Sequence, residues 1–390
     1  MTKRIDRRAV LRAVIVFVLA VAAFTALSTL GSTAAAGATD VATSVVTADA
    51  GGADAATDEA PPNDEGVGDE GVGDEVLERE ATDYGTNRIA QNIFNGLVFG
   101  LLLALASVGL SLIYGTTGLS NFAHGEQVSL GAVLAYFFAT QQPVSVPLIP
   151  VQFTIGWPLW LAAIAAIAVA GLTGYLQDRF MWSKLRKRGV KVVQQMIVSI
   201  GFSLALLNFL QWWIGPNRLR VSTAIEQRNQ IGPIRVGDIT SMSIAISIAV
   251  LIGVGYFLLG TRLGRATRAV SDNPALAAAS GIKVDGIIRL VWVMATSLAA
   301  LGGILMALYD SGTKFDVGAK LLLLMFAAVT LGGLGQPFGA LVGSLVIGVV
   351  VETSTLWLGP DLKYATALAI LILVLLVRPQ GILGRAERVG

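Results

Sequence analysis

The chain has no cysteine and one histidine, His124, in 390 residues. The first absence excludes disulfides, thiolate metal sites and cysteine nucleophiles, and leaves the compartment open. Both together exclude the usual zinc constellations. Charge is scarce too: 14% of residues are Asp, Glu, Lys or Arg, against about 25% in an average soluble domain. No G-x-x-x-x-G-K-[ST] phosphate loop occurs, so the chain should neither bind nor hydrolyse ATP. "GFS" at 201–203 lacks the G-x-S-x-G frame of a nucleophile elbow. An intramembrane enzyme is thereby disfavoured; no catalytic residue, metal ligand, cofactor or nucleic-acid partner is assigned.

What fills the chain is apolar: 54% hydrophobic residues, in long continuous runs rather than the alternation of a membrane barrel strand. The fold class is all-α, a polytopic transmembrane helical bundle. Spans are expected at about 91–114, 126–140, 157–177, 194–214, 241–260, 287–309, 319–334, 338–357 and 361–377, about nine in all. A helix needs roughly 20 residues to cross the hydrocarbon. The second and seventh fall short and lie beside "YGTTG" and "LGGLGQPFG", which suggests broken or re-entrant helices.

Four regions follow. Residues 1–38, with a basic start, an apolar run and Ala36-Gly37-Ala38, read as a secretory signal or an uncleaved anchor helix. Residues 39–88 read as an acidic, disordered extracellular segment: positions 40–83 hold fourteen acids and a single base, Arg79. Residues 89–384 form the transmembrane domain, and 385–390 a cytoplasmic tail. Basic residues in 178–191, in 261–268 and after Val377 all fall on one side by span counting. The positive-inside rule makes that side cytoplasmic and the acidic segment external; Arg218, Arg220 and Arg228 are exceptions in an external loop.

The cytoplasmic loop "GTRLGRATRAVSDNPALAAASGIKVD", 260–285, predicts a short helix. Asn273 is a capping residue, Pro274 suits the first helical position, and Gly281 can close the helix in a left-handed turn. An Ala-rich helix with basic flanks is either a docking surface for another protein or an interfacial helix on lipid; the residues alone do not separate these. Inside the membrane, Asn121, His124 and Glu126 of "GLSNFAHGEQ" form a polar seam at a helix break. Such residues persist where they face protein or a water-filled path. The seam either lines the route of a solute or is a hydrogen-bonded structural turn. Glu352 is expected to be paired or hydrogen-bonded inside the bundle, and Asp310 and Asp316 to be solvated. Gly339 and Gly343 have the spacing of close helix contact. Residues 318–350 loosely echo 109–140.

The loop, with "GLSNFAHGE", "TLGGLGQPFGALVG" and "VRPQGILG", resembles the permease subunits of branched-chain amino-acid ABC importers, from about Ile93 to Gly384. The resemblance implies that the loop couples to an ATPase through Arg265, Arg268, Asn273, Pro274, Ala278 and Gly281, although the glutamate of the broader Glu-Ala-Ala pattern is missing. It implies cytoplasmic ATPase subunits, a second related permease, an extracellular solute-binding protein and surrounding membrane lipid as partners. Branched-chain or other hydrophobic amino acids, with amides or urea as alternatives, would pass Asn121, His124, Glu126, Gly333 and Gly335. The rival class is a stand-alone ion-coupled carrier or channel for a small polar solute; a membrane scaffold is a third.

Overall fold

A computed structural model describes residues 70–145, 152–221, 227–359, 362–377 and 381–382, with side-chain surroundings from Arg88 onward. The expected signal or anchor, the acidic segment before Glu70 and the tail 385–390 lie outside the described residues. Helix α1 (Glu70–Thr117) is followed by α2 (His124–Ala139) and a two-residue antiparallel pair, β1 (Val144–Ser145) and β2 (Gln152–Phe153). Then come α3 (Leu159–Gln177), a π-helical turn (Asp178–Trp182), α4 (Ser183–Lys187) and α5 (Val192–Ile214). A second small hairpin, β3 (Arg228–Ile231) with β4 (Ile234–Gly237), precedes α6 (Asp238–Gly260). The remainder is α7 (Arg262–Asp272), α8 (Pro274–Ala279), α9 (Val284–Tyr309), α10 (Val317–Gly332), α11 (Pro337–Ser354) and α12 (Lys363–Val377).

Among the described residues six helical segments are long and apolar enough to cross a membrane: 88–117, 159–187, 192–214, 238–260, 284–309 and 337–354. Helices α2, α10 and α12, at 16, 16 and 15 residues, occupy the three other apolar runs. The bundle is therefore all-α and polytopic, with short helices beside both glycine-rich breaks. Two local readings need correction. Residues 70–88, the end of the acidic segment read as disordered, are helical: they continue α1 and so need no nucleus of their own. The segment 178–191, left between the spans expected at 157–177 and 194–214, is helical to Lys187, so only 188–191 connect α4 to α5.

α1 and α9 sit at the centre, nearly all of their apolar stretches buried, whereas α5 is almost wholly exposed. Val193, Ile197 and Leu204 of α5, Ile252 and Tyr256 of α6 and Leu376 of α12 point outward. A helix apolar all round fits lipid on its outer face. Inside, small residues let backbones meet. A Cβ on Gly100 would lie 2.7 Å from the Ser344 carbonyl oxygen of α11, and one on Gly131 would collide with Ala300 of α9. Without a hydrophobic drive in lipid, such close dispersion contacts hold helices together. Gly339 and Gly343 likewise meet Gly332 and Ala328, joining α10 to α11.

Candidate functional site

Gly118, at φ +69°, ends α1 by turning the chain back along it. The Leu119 N–H donates to Thr117 Oγ1 at 3.2 Å. The Ala123 N–H donates to Asn121 Oδ1 at 3.1 Å, the local turn to which asparagine is suited. His124 Nε2 then lies 3.0 Å from the Ala106 carbonyl oxygen. Only a protonated Nε2 can bond a carbonyl, so in the neutral ring Nδ1 is left as an acceptor. Ala106 precedes the end of α1 by roughly three turns, or ~16 Å of helical rise. The connection is thus re-entrant, and α2 begins well inside the bundle.

The start of α2 is tied on every side. Gln127 Nε2 donates to Gln177 Oε1 of α3 at 2.7 Å. The Phe122 N–H donates to Ser199 Oγ of α5 at 3.2 Å. Ser129 Oγ accepts the Gly318 N–H at the head of α10, 2.8 Å away. Asn121, His124, Glu126 and Gln127 are all buried. Within the described residues, Ser107 Oγ, Ser111 Oγ, Asn121 Nδ2, His124 Nδ1, Glu126 Oε2 and Gln127 Oε1 have no hydrogen-bond partner. A buried polar atom without a partner costs about 1–3 kcal/mol, so the seam holds polarity that packing alone does not require.

The second feature is the break between α10 and α11. Gly333 (φ +111°) and Gly335 (φ +76°) take backbone angles that side chains resist, and Pro337 opens α11. Gly335 packs on Gly115 near the end of α1, while Gly381 packs on Gly333 and Thr330. The Ile382 N–H donates to the Leu331 carbonyl at 2.7 Å.

Helix α7 lies across the same place. Thr261 Oγ1 caps it, accepting the Gly264 N–H at 2.9 Å. Gly264, Thr267 and Val270 face inward while Arg262, Arg265 and Arg268 face out. Ser271 Oγ donates to the Gly115 carbonyl at 2.7 Å. Between the end of α1, α7 and the head of α11 is a cavity of about 430 Å³ lined in part by Arg265, Arg268 and Gly335. Beyond α7, Asn273 Oδ1 caps α8 through the Leu276 N–H at 2.9 Å. Gly281, at φ +85°, closes that helix with its N–H on the Ala278 carbonyl. Leu276 projects from α8 into solvent, 65% exposed.

The expected residues thus fall into two groups. Arg265, Arg268, Gly333 and Gly335 come together, with Asn273, Pro274, Ala278 and Gly281 on the adjoining helix. Asn121, His124 and Glu126 form a separate cluster; Ala106 and Gly115, which mark the two places on α1, are ~14 Å apart by helical rise. Sequence reasoning missed Ser107, Ser111 and Gly115, one face of α1 at i, i+4 and i+8, which connects them. Small and polar residues at that spacing inside an aliphatic span were the available signal. It also missed Asp178, wholly buried, with its carboxylate 2.7 Å from Arg186 and 3.2 Å from Arg289. Trp182 stacks on Trp292 beside it, centroids 5.3 Å apart, so this network clamps the π-helical turn to α9. Glu352 accepts the Asn92 amide, at 3.1 Å, through its backbone carbonyl. Asp316 pairs with Lys320 at 2.7 Å.

The family described as branched-chain amino acid transport system, permease component, matches residues 92–376. The chain is 30% identical over 303 residues to the high-affinity branched-chain amino acid transport system permease protein LivH of Escherichia coli K12, covering 76% of this chain and 96% of that one. It is 33% identical over 311 residues, with the same coverages, to the corresponding permease protein BraD of Pseudomonas aeruginosa. The ribose import permease protein RbsC of Escherichia coli K12 is 25% identical over 266 residues, covering 66% and 75%. No solved structure matches.

Proposed function

The chain belongs to the family of branched-chain amino acid transport system permease components, and from that premise we propose that it is the membrane-spanning subunit of an ATP-driven importer of branched-chain amino acids. The observation that carries this reading is the extent of the match: residues 92–376 include the whole helical bundle apart from the first turns of α1 and the last residue of α12. The named relatives are permeases of transport systems, which favours the importer over a stand-alone carrier or channel.

In this reading ATP is hydrolysed on separate cytoplasmic subunits. They engage the α7–α8 loop through Arg265, Arg268, Asn273, Pro274, Ala278 and Gly281, with Leu276 as an apolar tip. Movement of α7 reaches the end of α1 through the Ser271–Gly115 hydrogen bond, and the α10–α11 break through the contact of Gly115 with Gly335. A second related permease completes the membrane unit, and an extracellular binding protein delivers the solute. The route runs past Asn121, His124 and Glu126 and then past Gly333 and Gly335. Residues 1–38 serve as signal or anchor, 39–88 lie outside the cell and 385–390 inside it.

The test is co-expression with the ATPase, second-permease and receptor genes, followed by reconstitution in proteoliposomes. ATP-dependent leucine uptake that requires the receptor is expected. Uptake by this chain alone without ATP, or a receptor indifferent to amino acids, would overturn the assignment.

A further inference from the structure

The outward side of α3 ends in a group of cations around one exposed ring. The helical segment 159–187 has 29 residues. At 1.5 Å per residue that is about 43 Å, against about 30 Å of hydrocarbon, so one end must stand among lipid headgroups. The basic end is the one suited to it. Leu172, Leu176 and Phe180 are exposed at i, i+4 and i+8, an apolar stripe running down to that end. On α5 the outward stripe resumes with Val192, Val193 and Ile197. Between the two stripes Arg179, Lys184, Lys187, Arg188 and Lys191 are exposed. Carboxylates neutralise few of them. No acid occurs between Asp178 and Glu226; Asp178 is taken by Arg186 and Arg289, and Asp285 faces Arg186 and Lys187. Among the described residues, Arg179, Lys184, Arg188 and Lys191 have no carboxylate within 4.0 Å. We propose that Arg179, Phe180 and Lys184 form a site for the headgroup of an anionic phospholipid in the adjoining leaflet.

The π-helical turn builds the site. The Ser183 N–H donates to the Asp178 carbonyl, five residues back. Along such a turn residues five apart lie one above the other, which brings Arg179 and Lys184 to one face. Arg179 Cζ is 5.9 Å and Lys184 Nζ 5.5 Å from the centroid of the Phe180 ring. Two cations are thus held at one ring that is 58% exposed. The Tyr175 hydroxyl accepts from Arg179 Nη1 at 2.8 Å; being neutral, it orients the guanidinium and leaves its charge and other donors for a phosphate. Charge selects an anion. The ring and the stripe above it select one that carries acyl chains. An ATPase surface would have to reach Phe180 through the headgroups, whereas a phospholipid is already there. The inference rests on the membrane placement of the bundle and not on the identity of the solute.

The test titrates the full chain, purified in detergent, with phosphatidylglycerol or phosphatidylcholine and counts bound lipid by native mass spectrometry. Preference for phosphatidylglycerol is expected. Arg179→Gln with Lys184→Gln should weaken it at least ~10-fold, from the usual worth of two bases at a membrane surface. Arg188→Gln with Lys191→Gln removes the same charge farther along the chain and should leave it nearly unchanged. Thermal unfolding checks that each variant folds; Lys184→Gln alone, with an expected loss of about fivefold, repeats the test should the double variant unfold. Equal losses in the two pairs would mean a diffuse positive surface and overturn the proposal. So would the absence of any preference, or displacement of the lipid by millimolar inorganic phosphate. Loss of ATPase co-purification in the Arg179–Lys184 variant with lipid binding intact would make the patch a protein contact and overturn it too. Leucine uptake by the reconstituted importer reads the permease assignment separately, so either can fail while the other stands.

Discussion

Replacing Gly335 by alanine is expected to damage transport far more than one methyl group suggests, and the structure supplies its own control. Gly335 has φ +76°, and a side chain in the left-handed region costs about 1–2 kcal/mol. The new Cβ would also stand 3.2 Å from Gly115 Cα. That neighbour is backbone, held by Ser271, and cannot rotate away; crowding of this kind adds about 1–3 kcal/mol. The sum is about 2–5 kcal/mol, placed at the joint between α1, α7 and the α10–α11 break. Gly118 has nearly the same angle, φ +69°, but nothing within 4 Å of its virtual Cβ. Gly118→Ala therefore pays the backbone cost of about 1–2 kcal/mol alone. Thermal unfolding of both purified variants, with ATP-driven leucine uptake in proteoliposomes, separates the two terms. Gly335→Ala should unfold at the lower temperature and lose most uptake while Gly118→Ala keeps it. Equal losses in both, or none in either, would refute the claim that the glycine contact at Gly115 carries the effect.

Three further outcomes are expected. Asp178→Asn should cost about 2–3 kcal/mol, less than the ~3–5 of a fully buried pair because Arg186 and Arg289 are 18% and 30% exposed; thermal unfolding reads it, and an unchanged midpoint would mean the network is not a clamp. His124→Ala should lose about 1–3 kcal/mol with the bond to Ala106, and His124→Gln, which keeps a donor, should recover part of it; identical midpoints for the two variants would argue against the bond. The double charge reversal Arg265→Glu with Arg268→Glu should abolish co-purification with the ATPase while the chain still inserts. Assembly and uptake at the level of the unaltered protein would retire the coupling role of α7.

Much was legible before any coordinate. Scarce charge and long apolar runs determined a helical membrane bundle, because backbone groups in lipid must be satisfied within the segment that carries them. The cap at Asn273, the proline at 274 and the glycine at 281 determined α8, since all three act within a few residues of chain. The four motifs placed the chain among permeases, as residues 92–376 then showed. Other features lay beyond such local rules. Asp178 finds its partner Arg289 111 positions away, which no rule local to 178–187 could name. Both glycine breaks were visible as breaks, yet nothing in their letters said that one doubles back to Ala106 while the other closes on Gly115.

The sequence by itself determined where helices form and end, because capping, backbone freedom and apolar length act over one or two turns. Only the tertiary structure decided which polar groups share a neighbourhood. Ser271 and Gly115, 156 residues apart, meet only because small residues let α1 lie close among its neighbours in the bundle. Nothing local to either residue carries that information.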